Sequence, residues 1–252
     1  LANIGLQLYT VRDRLQQDFT GTLKAVAEIG FSGVEFAGYG GMSAQDLRHL
    51  LDELGMRGVS SHIALADLQN VASVSDYARE LGLQYVVCPW LNSANYKTAD
   101  DYARLSEQLG ELGAAYAENG LTLCYHNHDF EFAIKTDAGQ YVFDALYEQA
   151  SPDHLKAELD TYWISYAGLD ALSYVQKYAG RAPLLHLKDM TTDDRRTFAA
   201  LGQGQLPIAE LIKQGEQSGV QWFFVEQDVC PGDALDSVRT SFAFLRELGV
   251  VK

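Results

Sequence analysis

Cysteine is scarce: 252 residues contain three, Cys88, Cys124 and Cys230, and no two stand at CxxC spacing. An odd, scattered set excludes a disulfide framework and fits a reducing compartment, so the cytoplasm is the expected location. Basic residues are few as well, 19 Lys and Arg against 34 Asp and Glu, for a net charge of −15. Nucleic-acid binding relies on a basic face that displaces counterions, so no nucleic-acid partner is expected. The acidic residues are spread over many segments instead of forming a tail, which reads as a solvated surface. Long apolar runs are missing. Stretches such as Tyr85–Trp90 and Trp222–Val225 fall far short of the roughly 20 residues of a membrane span, and the first residues lack a basic-then-apolar signal pattern. No membrane partner is expected. With no composition break and no linker rich in Pro, Gly and Ser, residues 1–252 read as a single domain.

What the chain does have is alternation. Strand-like runs are expected at 4–10, 33–38, 58–64, 85–90, 121–128, 155–161, 183–190 and 222–228. Between and after them, helical spacing of apolar residues marks 20–30, 43–55, 71–82, 99–120, 138–150, 169–180, 207–219 and 234–248. Ser43 reads as an N-cap and Gly55 as a C-terminal glycine of one such helix. Eight βα units predict the α/β class and a single (β/α)8 TIM barrel. A doubly wound sheet would carry a phosphate-binding glycine fingerprint after its first strand, and Tyr9–Arg12 contains no glycine.

Ionisable residues close these strands: Glu35, His62, His126 and His128, Glu158 and Asp160, His186 and Lys188, Glu226 and Asp228. Strands of a barrel are apolar, and the C-terminal ends are where such barrels build active sites. Residues two apart share a face, so each pair points one way. In Leu184–Lys188 the alternation puts Leu185 and Leu187 against outer helices and His186 and Lys188 in the barrel mouth; Asp160, His126 and Glu226 follow by analogy. Carboxylates and imidazoles converging there suit one divalent metal ion, Zn, Mn, Co or Mg. Cys88 and Cys124 read as packing residues. Trp90, Tyr125 and Trp163 are either pocket walls for the apolar face of a sugar or core. Gly202 and Gly204 follow the seventh strand, where barrels hold phosphate, but read more simply as a turn.

The segments Gly5–Arg12, Ile29–Glu35, Tyr125–Phe132, Glu158–Trp163, His186–Met190, Leu201–Gly204 and Val225–Asp228, in this order and spacing, resemble the xylose-isomerase-like barrels over essentially the whole chain. That sugar phosphate isomerase/epimerase superfamily includes inosose dehydratases, ketose 3-epimerases and endonuclease-IV-like enzymes. The resemblance implies one divalent metal held by a Glu on the fifth strand, an Asp on the sixth, a His on the seventh and a Glu on the eighth. Asp160, His186 and Glu226 match the last three. The fifth strand reads His126-Asn127-His128 where many relatives read Glu-Asn-His, so either His126 or Glu158 completes the set, with His126 favoured.

The implied activity is that of a sugar isomerase or epimerase acting on a small keto-sugar or sugar phosphate through an enediolate. The alternative is a lyase acting on a keto-inositol or 3-keto-sugar, towards which a fifth-strand His leans. Glu158 or His128 is the expected base. Glu226 orients substrate or shuttles the proton, and Lys188 either stabilises an oxyanion or pairs with Glu158 or Asp189. The expected partner is a small carbohydrate, and homo-oligomerisation is left open.

Overall fold

A computed structural model describes residues 1–251, and in it the strands close on themselves. Strands β1 (Ile4–Gln7), β2 (Gly33–Phe36), β3 (Arg57–His62), β4 (Tyr85–Cys88), β5 (Thr122–His126), β6 (Leu155–Asp160), β7 (Leu184–Leu187) and β8 (Trp222–Val225) are parallel neighbours in chain order, and β8 pairs back onto β1. The main helices between and after them are α1 (Phe19–Ile29), α2 (Ala44–Glu53), α3 (Val71–Leu81), α4 (Ala99–Glu118), α5 (Val142–Gln149), α6 (Ala171–Lys177), α7 (Ile208–Ser218) and α8 (Ala234–Glu247). This is the (β/α)8 barrel that the alternation predicts.

Local chemistry sets the helix ends. Ser43 caps α2 by accepting from the Asp46 amide, and Thr98 and Asp101 form a reciprocal capping box at the start of α4. Gly82 and Gly219 end α3 and α7 in the left-handed region, with φ of +88° at each, which a side chain would strain.

The strands bury both faces. Leu123, Leu159, Leu185 and Leu187 belong to the outer core beneath the helices, whereas Val59, Val87, Cys124, Leu184, Trp222 and Phe224 form a separate cluster inside the barrel. Both Cys88 and Cys124 are buried packing residues, as expected. Two glycines make room for the inner aromatic rings: a Cβ on Gly5 would come within 2.6 Å of Phe224, and one on Gly33 within 2.5 Å of Trp222. Burying such rings stabilises the barrel by about 1.5–3 kcal/mol each. This apolar plug leaves the other end of the barrel for polar residues.

At that end most strands stop sooner than the sequence pattern suggests. The Gln7 side chain accepts from the Tyr9 amide, so Leu8–Val11 winds into a 3-10 turn instead of extending β1. Residues Lys188, His128, Glu226 and Asp228 therefore lie just past their strands. Asp160 ends β6 and caps an unexpected short helix, Thr161–Tyr166, its Oδ1 accepting from Tyr162 N at 3.0 Å and Trp163 N at 3.1 Å. No helix among the described residues is long and apolar enough to cross a membrane.

Candidate active site and metal centre

Above the apolar plug the ionisable residues lie in two tiers. The deeper tier holds Glu35 from β2, His62 from β3, Glu158 from β6 and His186 from β7, with donor atoms all within 4.8 Å of one another. Glu35 is its centre. Its Oε1 takes Gln7 Nε2 at 2.7 Å, His186 Nε2 at 2.7 Å and His62 Nε2 at 3.0 Å, and its Oε2 takes the Ser60 hydroxyl at 2.6 Å. A register shift between β2 and β3 pairs Glu35 with Ser60 and skips Val59, which puts both Ser60 and His62 within reach of Glu35. Burial alone would raise the Glu35 pKa, but the two imidazoles outweigh it and hold the carboxyl well below its usual range. Burial likewise opposes charge on His62, yet Glu35 and Glu158 hold it up at about 10. Glu158 receives His62 Nε2 at 2.7 Å, and its other oxygen is buried without a partner. Burial, then Glu35, push its pKa up.

The upper tier is His126, Asp160, His186 and Glu226, again with all donor atoms within 4.8 Å. His186 joins the two tiers, with Nδ1 2.6 Å from Glu226 Oε2 and Nε2 on Glu35. Asn127 fixes Asp160 by accepting from its amide at 2.9 Å and donating to its carbonyl at 3.3 Å. His126 Nδ1 is 3.3 Å from the Pro89 carbonyl, which can only accept, so Nδ1 carries the proton. Its bare Nε2 then faces Asp160 Oδ2 at 3.1 Å. Two lone pairs at that distance need a cation or proton between them. Burial, followed by His186 and His62, keeps His126 neutral, with its pKa far below the ordinary imidazole value.

Lys188 enters the same tier. Its buried ammonium lies 2.9 Å from Asp160 Oδ2, 2.9 Å from Glu226 Oε2 and 3.0 Å from Asp228 Oδ2. Burial opposes its charge, but these three carboxylates outweigh it and hold the pKa well above the ordinary lysine value. Around this centre the carboxyl groups of Glu35, Glu158, Asp160, Glu226 and Asp228 outnumber the Lys188 ammonium and the charged His62 imidazole, so the site is rich in acidic groups that a cation would offset. Asp228 gives the ammonium an anchor of its own, separate from the donor set. The mixed imidazole and carboxylate donors with bare Nε2 of His126 fit a divalent ion, and the contact of His186 Nε2 with Glu35 is of the kind that would orient a metal-binding imidazole.

At the mouth, His128 Nδ1 and Trp163 Nε1 are buried without partners. The Trp163 ring lies 5.4 Å from the His128 ring and 5.7 Å from the Lys188 ammonium. Burial, then Lys188, lower His128 to about 3, so it is neutral. Glu131 accepts from the His128 amide at 2.9 Å and from the Tyr125 hydroxyl at 2.5 Å, and burial raises its pKa to about 7.

The structure brings His126, Asp160, His186, Glu226 and Lys188 together and bears on alternatives that the sequence left open. Glu158 lies in the deeper tier, one same-face step before Asp160 on β6, and meets the upper set through His186 Nε2 at 3.3 Å. Lys188 pairs with neither Glu158 nor Asp189; strand alternation turns Asp189 the other way, onto the amides of Gly202 and Gly204. Tyr125 faces the outer core, and Trp90 stands exposed at the rim, which leaves Trp163 as the aromatic wall. Sequence reasoning undervalued Glu35 and His62, each of which looked structural alone; their spacing from the later strands carries no periodic signal.

Residues 23–248 match the family model described as Xylose isomerase-like TIM barrel, and the chain belongs to that family. It is 32% identical to an inosose dehydratase of Clostridium perfringens over 62% of this chain and 56% of that protein. It is 22% identical to an inosose dehydratase of Geobacillus thermodenitrificans over 92% of this chain and 78% of that one. The chain thus spans little more than half the length of the Clostridium perfringens relatives it matches, at 56%. A solved sugar phosphate isomerase/epimerase from Parabacteroides distasonis shares the fold, with a TM-score of 0.85 at 24% identity over 100% of this chain and 96% of that one.

Proposed function

We propose that this member of the Xylose isomerase-like TIM barrel family removes the proton beside the ketone of a polyhydroxylated carbonyl compound, a keto-sugar or keto-inositol, with the help of one divalent metal ion. The observation that carries the reading is the convergence of His126, Asp160, His186 and Glu226 beside two unpartnered polar atoms, of His128 and Trp163. Buried polar atoms without partners cost about 1–3 kcal/mol each, a cost that hydroxyl groups of a bound polyol would offset. His126, Asp160, His186 and Glu226 would hold the ion, which when bound supplies Lewis acidity towards a carbonyl and its neighbouring hydroxyl.

The chain's own groups do the rest. Trp163 offers a flat apolar face to the ring of the substrate. Either His128, which lies nearer the mouth with Nδ1 free, or Glu158, which lies in the tier below and is the more basic of the two, accepts the α-proton. The Lys188 ammonium donates to the oxygen on which negative charge develops. Loss of a β-hydroxyl as water completes the reaction: the electron pair of the broken C–H bond forms the C=C bond as the C–O bond breaks, and the leaving oxygen takes the proton that the base removed. Two observations favour this completion. His126 stands where a two-glutamate epimerase needs its first carboxylate, and the curated relatives reported above are inosose dehydratases. Isomerisation or epimerisation through the same enol is the second reading.

Metal content of the wild type beside Asp160→Ala, His186→Ala, Glu226→Ala and His126→Ala, by elemental analysis, tests the centre. Near-stoichiometric metal in the wild type and its loss in all four variants is expected; metal that never binds, or survives every change, defeats the reading. Keto-sugars and keto-inositols are then assayed for an absorbing enone, expected for elimination and absent for isomerisation.

A further inference from the structure

Apolar side chains scattered singly over a surface need no explanation, but several gathered at one end do. Among the described residues the exposed large apolar side chains are Leu1 and Leu248 near the chain ends, and Tyr9, Trp90, Tyr166 and Val229. The last four stand on the segments after β1, β4, β6 and β8, all at the mouth of the barrel. Tyr166 and Val229 belong to one pocket of about 430 Å³, a size usual for small-molecule sites, whose walls include Trp163, Phe198, Arg196 and Pro231. Three loops build it. The short helix after β6 brings Trp163 and Tyr166, and the loop after β8 brings Val229 and Pro231. The segment after β7 turns back as a two-stranded ribbon, Asp189–Met190 against Phe198–Ala199, and lays the Phe198 ring 4.5 Å from that of Tyr162. Arg196 is the one residue other than glycine with positive φ among the described residues, at +50°. Tyr162 holds it there by donating its hydroxyl to the Arg196 carbonyl at 2.6 Å, while the guanidinium donates to the Ser165 carbonyl at 2.7 Å and lies 4.9 Å from the centre of the Tyr166 ring. A side chain keeps so disfavoured a backbone only where its surroundings fix it, as ligand clamps do.

The pocket shares its walls with the reaction centre. Trp163 stands beside His128, and the Lys188 ammonium lies 5.7 Å from the Trp163 ring and 5.9 Å from the Phe198 ring. Val229 directly follows Asp228, whose carboxylate holds the same ammonium at 3.0 Å. A substituent on a sugar ring seated at His128 and Lys188 is therefore about one ring's length from this pocket. The polar head groups around it are engaged within the protein: Arg195 on Asp193, Arg196 on Ser165, Tyr162 on Arg196. Hydroxyl groups of a second sugar would find few partners among them, and an anion no free cation; a flat apolar ring needs neither.

We propose that this pocket is a second subsite that receives a flat apolar group, an aryl ring joined through oxygen to the carbohydrate, so that the substrate is an aryl glycoside of the keto-sugar class. The proposal rests on the reading of the chain as a keto-sugar enzyme and extends its substrate from a free sugar to a substituted one.

Phenyl β-D-glucopyranoside and methyl β-D-glucopyranoside, titrated into the wild-type protein by calorimetry, are the probes. Neither carries a ketone, so the comparison is independent of proton removal. The phenyl compound is expected to bind at least about tenfold more tightly than the methyl one. In two-dimensional NMR it is also expected to move the indole N–H resonance of Trp163 saturably. Val229→Asp, a surface change that puts a charge at the edge of the pocket, is expected to reduce the phenyl preference to about threefold or less, and Tyr166→Ala, which removes one aromatic wall, to do the same. Equal affinities, no measurable binding of the phenyl compound, an unmoved Trp163 resonance, or a preference that survives in both folded variants overturns the proposal. The two readings fail separately: a phenyl preference without bound metal or enone formation keeps the subsite and defeats the keto-sugar chemistry, and enone formation without a phenyl preference does the reverse.

Discussion

Single residues in this barrel act through what lies on both sides of them. Glu35 touches nothing at the mouth, yet it holds Nε2 of the His186 ring whose Nδ1 points to Glu226. Removing one partner of a buried charged network leaves the others uncompensated, so Glu35→Ala is expected to destabilise the fold by about 3–5 kcal/mol. A lower urea midpoint at unchanged slope checks it. By contrast, Asp76→Ala breaks an exposed pair with Arg79 and is expected to shift stability by less than about 0.5 kcal/mol in the same measurement. His126 was readable as a departure from the family pattern because the substitution is visible in the string of residues. Its tautomer was not, since that follows from the Pro89 carbonyl, 37 residues away in the chain.

Elements were legible where a local signal marks them and shifted where side chains of distant segments intervene. The capping box of α4 can be read from Thr98 and Asp101 alone. The amide of Lys97, then the hydroxyl and amide of Thr98, bind the Asp101 carboxylate and lower its pKa to about 2. A depressed folded-state pKa contributes stability above the unfolded value near 4 and loses it as pH falls towards the folded one. The first turn of α4 is therefore expected to lose amide-exchange protection between about pH 4 and pH 2, and Asp101→Asn is expected to remove that dependence. The helix Thr161–Tyr166 escaped the sequence pattern because its cap, Asp160, was read as the end of a strand and as a ligand; it both ends β6 and caps the helix, with Oδ1 on the helix amides and Oδ2 towards the upper tier.

At the scale of the whole molecule, closure of the barrel stacks an apolar plug, a charge-paired tier and a donor tier along one axis. The plug supports the tiers above it, so Phe224→Ala is expected to cost about 3–5 kcal/mol; thermal unfolding checks it, and metal binding by the remaining folded protein is expected to weaken, because Glu226 follows Phe224 by two residues, just past the end of β8. The sequence by itself determined the eight βα units, the faces of the strands and the residue types at the mouth, because periods of 2 and 3.6 and the chemistry of caps are local. Only the tertiary structure decided that Glu35 and His62 join the later strands, that Glu158 drops to the lower tier, that Lys188 turns to Asp160, Glu226 and Asp228, and that Asp189 fills the glycine loop. Those pairings depend on strand stagger and barrel closure, which bring residues from opposite ends of the chain within hydrogen-bond distance, and no periodicity in the sequence encodes the stagger.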